Sequence, residues 1–189
     1  PPLSPAFCAG PPDEARAREA RREEGFRSGA PLLLVLGGSQ GARALNQFVK
    51  KHVDLFARRG ISVLHQTGPG RLEEGAFERE GYRRVEYLCD VARALSAATL
   101  VLCRGGASSL AEIGALARPA FVVPYPHHKD RHQERNALRL GQGARIVPEE
   151  RLDESLAREL ARLCGSEGLL ERERMSRALQ GSVPLDGAS

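Results

Sequence analysis

Tryptophan is absent from the 189 residues, and aromatic side chains make up only 5% of them. Single-stranded nucleic acid is held by stacking on exposed rings, so such a platform is not indicated. Lysine is almost missing too: Lys50, Lys51 and Lys129 are the only ones among 28 basic residues. The positive charge is therefore arginine, and it is interleaved with acid, as in "PPDEARAREARREEGF". The formal charge of +4 reads as solvated helix faces, not as a nucleic-acid-binding block. Cys8, Cys89, Cys103 and Cys164 lie far apart with no C-x-x-C pair, so neither a disulfide framework nor cysteine metal spacing is indicated. They read as reduced packing residues of a cytosolic protein. No signal-peptide core and no apolar run of about 18 residues appears, so nothing here spans a membrane, while peripheral contact stays open.

What is present is a globular composition, 41% hydrophobic and 28% charged, long enough for one ordinary domain. Residues 12–24 read as an exposed, charge-laced helix with Glu14 and Arg18 at i,i+4 spacing. The apolar run 31–36 and the segments 61–66, 99–103 and 120–123 read as strands, with 82–88 as a further one and a brief strand at 144–147. Between them helices are expected over 42–58, 71–80, 91–97 (capped by Asp90), 109–117 and near 131–141, then over much of 152–179. Short apolar strands alternating with helices call for right-handed βαβ units and a doubly wound parallel sheet. Ligands of such sheets sit beyond the carboxyl ends of the strands, which brings 37–41, 105–109 and 124–133 to one edge.

The first of these segments, "GGSQG", carries Gly37, Gly38, Ser39 and Gly41, and its backbone N–H groups suit an anion at a helix N-terminus. It is neither G-x-G-x-x-G nor a P-loop, which lacks its lysine here. The second, "CRGGASSLAE", has Gly105 and Gly106 for close approach, with Ser108 or Ser109 able to cap the helix. Glu112 stands three residues after Ser109, which is the capping-box spacing. It can equally point into the cleft and accept from two sugar hydroxyls. The third contains His127, His128, Asp130, His132, Gln133 and Asn136. Adjacent histidines cannot face one way, which disfavours zinc. Gln133 and Asn136 lie one helical turn apart, and their amides suit hydroxyls.

"LLLVLGGSQGARALN", "HQTGPG", "YLCDVARALSAATLVLCRGGASSLAEIGALARPAFVVPYP" and "HQERNA" agree in order and spacing with the MurG family, and the chain resembles its carboxyl-terminal half over roughly 31–148. The resemblance implies an α/β fold: a Rossmann-like doubly wound parallel sheet, the C-terminal half of a GT-B glycosyltransferase. It implies a lead-in segment with a charged helix over 1–30, a domain binding UDP-N-acetylglucosamine over 31–180, and a tail over 181–189. The implied reaction is transfer of N-acetylglucosamine to lipid I, giving lipid II in peptidoglycan synthesis.

By position, Ser39 would contact the diphosphate and the Leu88 backbone the uracil edge. Ala107, Ser108, Ser109, Leu110, Ala111 and Glu112 would run along the nucleotide, with Glu112 on the ribose diol. Gln133, with Asn136, would hold the sugar hydroxyls. Arg104 would neutralise the diphosphate or brace the loop. No metal or other cofactor is implied, because helix dipoles would stabilise the departing UDP. The implied localisation is cytoplasmic, peripheral on the cytoplasmic face of the membrane.

The general base and the acceptor site belong to the family's amino-terminal domain, and nothing in residues 1–30 resembles its glycine-rich histidine loop. Where the family carries an interdomain "GNPVR", this chain reads "CAGPPDEAR", so that arginine has no counterpart unless Arg16 or Arg18 replaces it. The expectation is a donor-binding half that does not transfer sugar alone. The alternatives are a subunit of a split glycosyltransferase, whose acceptor half is a separate chain, and a non-catalytic nucleotide-sugar-binding relic. A plain NAD-binding domain is disfavoured, because "HQTG" stands where an acid should end the second strand.

Overall fold

The computed structural model describes residues 5–37, 42–71, 79–126 and 131–180. Six strands form one sheet: β1 (Leu32–Leu36), β2 (Ser62–Gln66), β3 (Tyr82–Val85), β4 (Leu100–Cys103), β5 (Ala120–Val122) and β6 (Ala144–Ile146). Their order is β3-β2-β1-β4-β5-β6 and every pairing is parallel, with Leu34 opposite both Leu64 and Val101. This is the Rossmann order, with its switch point between β1 and β4. The central strands are covered on both faces, which is why β1 reads as an unbroken run of five buried apolar residues.

One face is packed by α2 (Arg43–Arg58) and α6 (Glu154–Cys164) against Leu33, Val35, Leu100, Leu102 and Phe121. In α2 the buried positions are Leu45, Phe48, Val49, His52, Val53 and Phe56, a stripe with the helical period. The other face, built on Leu32, Leu34, Leu36, Val101 and Val122, receives α1 (Glu14–Glu23), α3 (Val91–Ala97), α4 (Ala107–Ala115), α5 (His132–Leu138) and α7 (Leu169–Gln180).

Several expectations need correction. The charged helix α1 has the foreseen Glu14–Arg18 bond at 3.1 Å, but it is not exposed all round. Ala17, Ala20 and Arg21 are buried, and Arg21 Nε donates to the Ala97 carbonyl at the end of α3 (2.9 Å). The expected helix over 71–80 lies mostly outside the described residues, and at its end Arg79 forms a bridge with Tyr82. Edge strand β3 stops at Val85 rather than 88, and α5 is shorter than 131–141, starting after Arg131 in a left-handed conformation. Asp90 does cap α3, accepting from Arg93 N at 2.8 Å. Cys103 and Cys164 pack in the core as expected, whereas Cys8 and Cys89 are exposed.

A buried polar chain ties α2 to the end of β2. His65 lies between Tyr82 Oη, 3.1 Å from Nδ1, and Asn46 Oδ1, 2.9 Å from Nε2. Asn46 Nδ2 donates to the Thr67 carbonyl (3.0 Å), so its Oδ1 must accept. The network therefore assigns the proton to His65 Nε2, with Nδ1 accepting from the Tyr82 hydroxyl. Burial holds the His65 pKa down to about 4 and pushes the Tyr82 hydroxyl up to about 12.

An unfolded His65 takes a proton near pH 6.5, but the folded ring resists it down to about 4. Its contribution is intact above 6.5 and declines by up to about 1.4 kcal/mol per pH unit as pH falls towards 4. Urea unfolding between pH 7 and 5 should show this slope in the wild type, and His65→Gln should flatten it.

Candidate functional site

The carboxyl ends of β1 and β4 lie side by side at the switch point, and each is followed by a helix that lacks a side-chain cap. Ahead of α2 the capping position is Ala42, and ahead of α4 it is Gly106; neither supplies a side-chain acceptor. The first-turn N–H groups of both helices are therefore not taken by a cap and are oriented towards this edge. Two helix N-termini converging at a switch point make a setting for an anion. Gly38, Ser39 and Gly41 lie outside the described residues, while Gly37 N donates to the Gln66 carbonyl at 3.2 Å.

The start of α4 corrects the capping-box expectation. The helix begins at Ala107, two residues before the expected start, so Ser108 and Ser109 sit inside its first turn and do not cap it. Glu112 is consequently not engaged in a capping box. It is half-buried, its pKa is raised by that burial, and its carboxylate makes no hydrogen bond or ion pair among the described residues. An unpartnered, partly desolvated carboxylate in the second turn of a helix is an acceptor awaiting donors. Ala107, Ser108 and Ala111 are more exposed around it, whereas Leu110 faces the core.

Gln133 and Asn136 meet the loop between β4 and α4 directly. Gln133 Oε1 accepts from Gly105 N (3.2 Å) and from Tyr125 N (2.9 Å), and Asn136 Nδ2 donates to the Gly105 carbonyl (3.1 Å). Each amide thus spends one end on the scaffold. The Gln133 Nε2 and Asn136 Oδ1 ends have no partner among the described residues.

Arg104 braces the site. Its guanidinium donates to the Val123 and Pro124 carbonyls (3.1 and 3.4 Å), pairs with Glu149 and lies over the Tyr125 ring at 5.7 Å. Of the two roles considered for it, these contacts support bracing. Leu88 lies in the loop between β3 and α3, partly buried against the core. His127, His128 and Asp130 lie outside the described residues. Among the described residues no group of three or more His, Cys, Asp or Glu side chains is arranged to hold a metal.

Tyr125, Glu149 and the His65–Asn46–Thr67 chain belong to the frame of this site without having been singled out as chemistry in the sequence. The one local signal was a histidine near the end of the strand "ISVLHQ".

A model of the glycosyltransferase family 28 C-terminal domain matches residues 32–183. The chain belongs to that family.

Its relatives include the UDP-N-acetylglucosamine-N-acetylmuramyl-(pentapeptide) pyrophosphoryl-undecaprenol N-acetylglucosamine transferase of Sorangium cellulosum. That protein is 41% identical over 183 residues, covering 90% of this chain and 44% of the relative. The enzyme of the same name from Nocardia farcinica is 44% identical over 140 residues, covering 71% of this chain and 36% of its own length. The chain thus spans less than half the length of these two relatives.

Among solved structures, Acinetobacter baumannii MurG superposes with a TM-score of 0.70 at 23% identity, covering 95% of this chain and 51% of that one. The glycosyltransferase SnogD from Streptomyces nogalater gives 0.59 at 21% identity, covering 83% and 41%. These likenesses establish the fold of this family 28 domain as that of a GT-B glycosyltransferase half.

Gly105 should be the least replaceable residue of the frame. A Cβ there would lie 2.7 Å from Gln133 Cβ and closer still to the Gln133 carbonyl oxygen. Gly105→Ala is expected to cost about 1–3 kcal/mol in urea unfolding, because backbone must move. Gly106→Ala, whose methyl meets nothing within 4 Å, should lose under about 1 kcal/mol.

Proposed function

We propose that this domain binds UDP-N-acetylglucosamine and is the donor-binding half of the transferase that glycosylates lipid I to give lipid II. The observation that carries the reading is Glu112. Its carboxylate has no partner among the described residues and is half-buried on α4, a helix with no side-chain cap, in a domain whose relatives bear the name of that transferase.

In this reading the diphosphate lies against the N-terminal turns of α2 and α4, with Ser39 contacting it and the glycines of its loop letting it approach the backbone. Their N–H groups stabilise the charge that grows on UDP as the glycosidic bond breaks, which is the role of a prepositioned donor set. Glu112 accepts from the ribose diol, and the Leu88 backbone reads the uracil edge. The free ends of Gln133 and Asn136 remain for the sugar hydroxyls, one donating and the other accepting.

The amino-terminal domain of such enzymes is the proposed source of the base that deprotonates the acceptor hydroxyl. The lipid-linked acceptor would be met at the cytoplasmic face of the membrane. Among the described residues no helix is long and apolar enough to cross it.

Calorimetric titration with UDP-N-acetylglucosamine tests the reading. The wild type should release heat on a saturable curve and NAD should not. Glu112→Gln should weaken binding about ten- to a hundredfold, the loss of a hydrogen-bonded charge. A folded chain that ignores the nucleotide sugar, or a Glu112→Gln variant that binds as well as the wild type, would sink it.

A further inference from the structure

The amino ends of the strands form a second, separate feature. A cavity of about 600 Å³ opens there, reaching Pro31 ahead of β1, Thr99 ahead of β4 and Pro119 ahead of β5. It is at the edge opposite the candidate donor site, and nothing about it depends on that site's assignment.

Its interior is cationic. Arg21, Arg118 and Arg172 line it, and the Arg21 side chain is only 7% exposed. Two of the three are committed to main-chain carbonyls. Arg21 donates to Ala97 O and Ser28 O, and Arg172 to Leu163 O and Gly165 O. Arg118 is different. The single hydrogen bond of its guanidinium among the described residues runs from Nη2 to Ser96 O (2.8 Å), and its buried Nε has no partner there. The carboxylates that line the cavity, Glu14, Glu167 and Glu173, are exposed, and Glu14 is already shared between Arg18 and Arg21. Burial, then repulsion from Arg21, pulls the Arg118 pKa down to about 10. The helix ends add some negative potential, roughly half a charge each at the C-termini of α3 and α6. With Arg59 and Arg162, which also line the cavity, five guanidinium groups outweigh the three carboxylates and the two helix ends.

We propose that this cavity is a binding site for a small oxyanion-bearing molecule, held by Arg118 with Arg21 and Arg172 around it. The volume lies within the range of small-ligand pockets. A planar guanidinium with unspent N–H groups suits a phosphate or carboxylate, which can accept two parallel bonds.

The test is a titration of the chain with inorganic pyrophosphate at constant ionic strength. Citrate serves as the carboxylate probe, sodium chloride is the control, and the difference between the wild type and Arg118→Met separates this cavity from the opposite edge of the sheet. Saturable binding is expected, absent with chloride and weakened about tenfold or more in Arg118→Met. A response to pyrophosphate alone assigns a phosphate ligand, and a response to both probes assigns a general polyanion site. Circular dichroism checks that Arg118→Met is folded. If it is not, Arg59→Gln on the exposed rim decides, with an expected two- to fivefold loss, roughly the worth of a screened charge. The proposal is overturned if the folded wild type shows no binding up to about 10 mM, a free energy too small to matter. It is equally overturned if the folded variants bind as the wild type does.

Discussion

The approach of α5 to the end of β4 at Gly105 is the constraint on which the candidate site rests. Gln133 stands where a side chain on residue 105 would have to go, and the space is closed by backbone as well as side-chain atoms. With the Cβ absent, Gln133 Oε1 ties together Gly105 N and Tyr125 N, and Asn136 holds the Gly105 carbonyl. One missing methyl group thus registers three segments: the loop after β4, the loop after β5 and the first turn of α5. Arg104 closes the same loops from the other side through the Val123 carbonyl and Glu149. In the proposed role, the amide ends that have no partner among the described residues can serve a ligand only because their other ends are fixed.

A second frame stands on the other side of the switch point. The His65 chain is directional: Tyr82 donates to His65, His65 to Asn46, and Asn46 to Thr67. Reversing one amide would leave two buried groups unpaired, so the arrangement holds α2 against β2 in a single way. The depressed histidine pKa is the electrostatic cost of placing that ring in the interior.

Much of the architecture was legible in the chain. The unbroken apolar run of β1 and the helical stripe of α2 name their own environments, and the alternation of strands and helices gives the parallel sheet. The start of α4 was not legible, because a glycine at the capping position carries no side-chain signal while two serines downstream do. Gly105 was readable as a place of close approach, but not what approaches it. That turned out to be the protein's own Gln133, 28 positions along the chain. His65 shows the same limit: its partners Tyr82 and Asn46 lie 17 and 19 positions away, and only the assembled sheet brings them together. Arg104 was readable as a cation beside the site; its role as a brace needed Glu149, 45 positions on.

Because every strand runs the same way, the crossover helices between them run the same way too, and their dipoles add instead of cancelling. The domain is therefore an electrically polarised body, positive where the strands end and negative where they begin. At the negative pole the chain places guanidinium groups on the terminal carbonyls of α3 and α6. This more than offsets one pole with side chains, while at the other α2 and α4 begin without a side-chain cap. In a molecule whose net charge is already +4, the uncompensated field points outward from the mouth of the switch point. An anion arriving from solution is drawn towards that end before it touches a single residue.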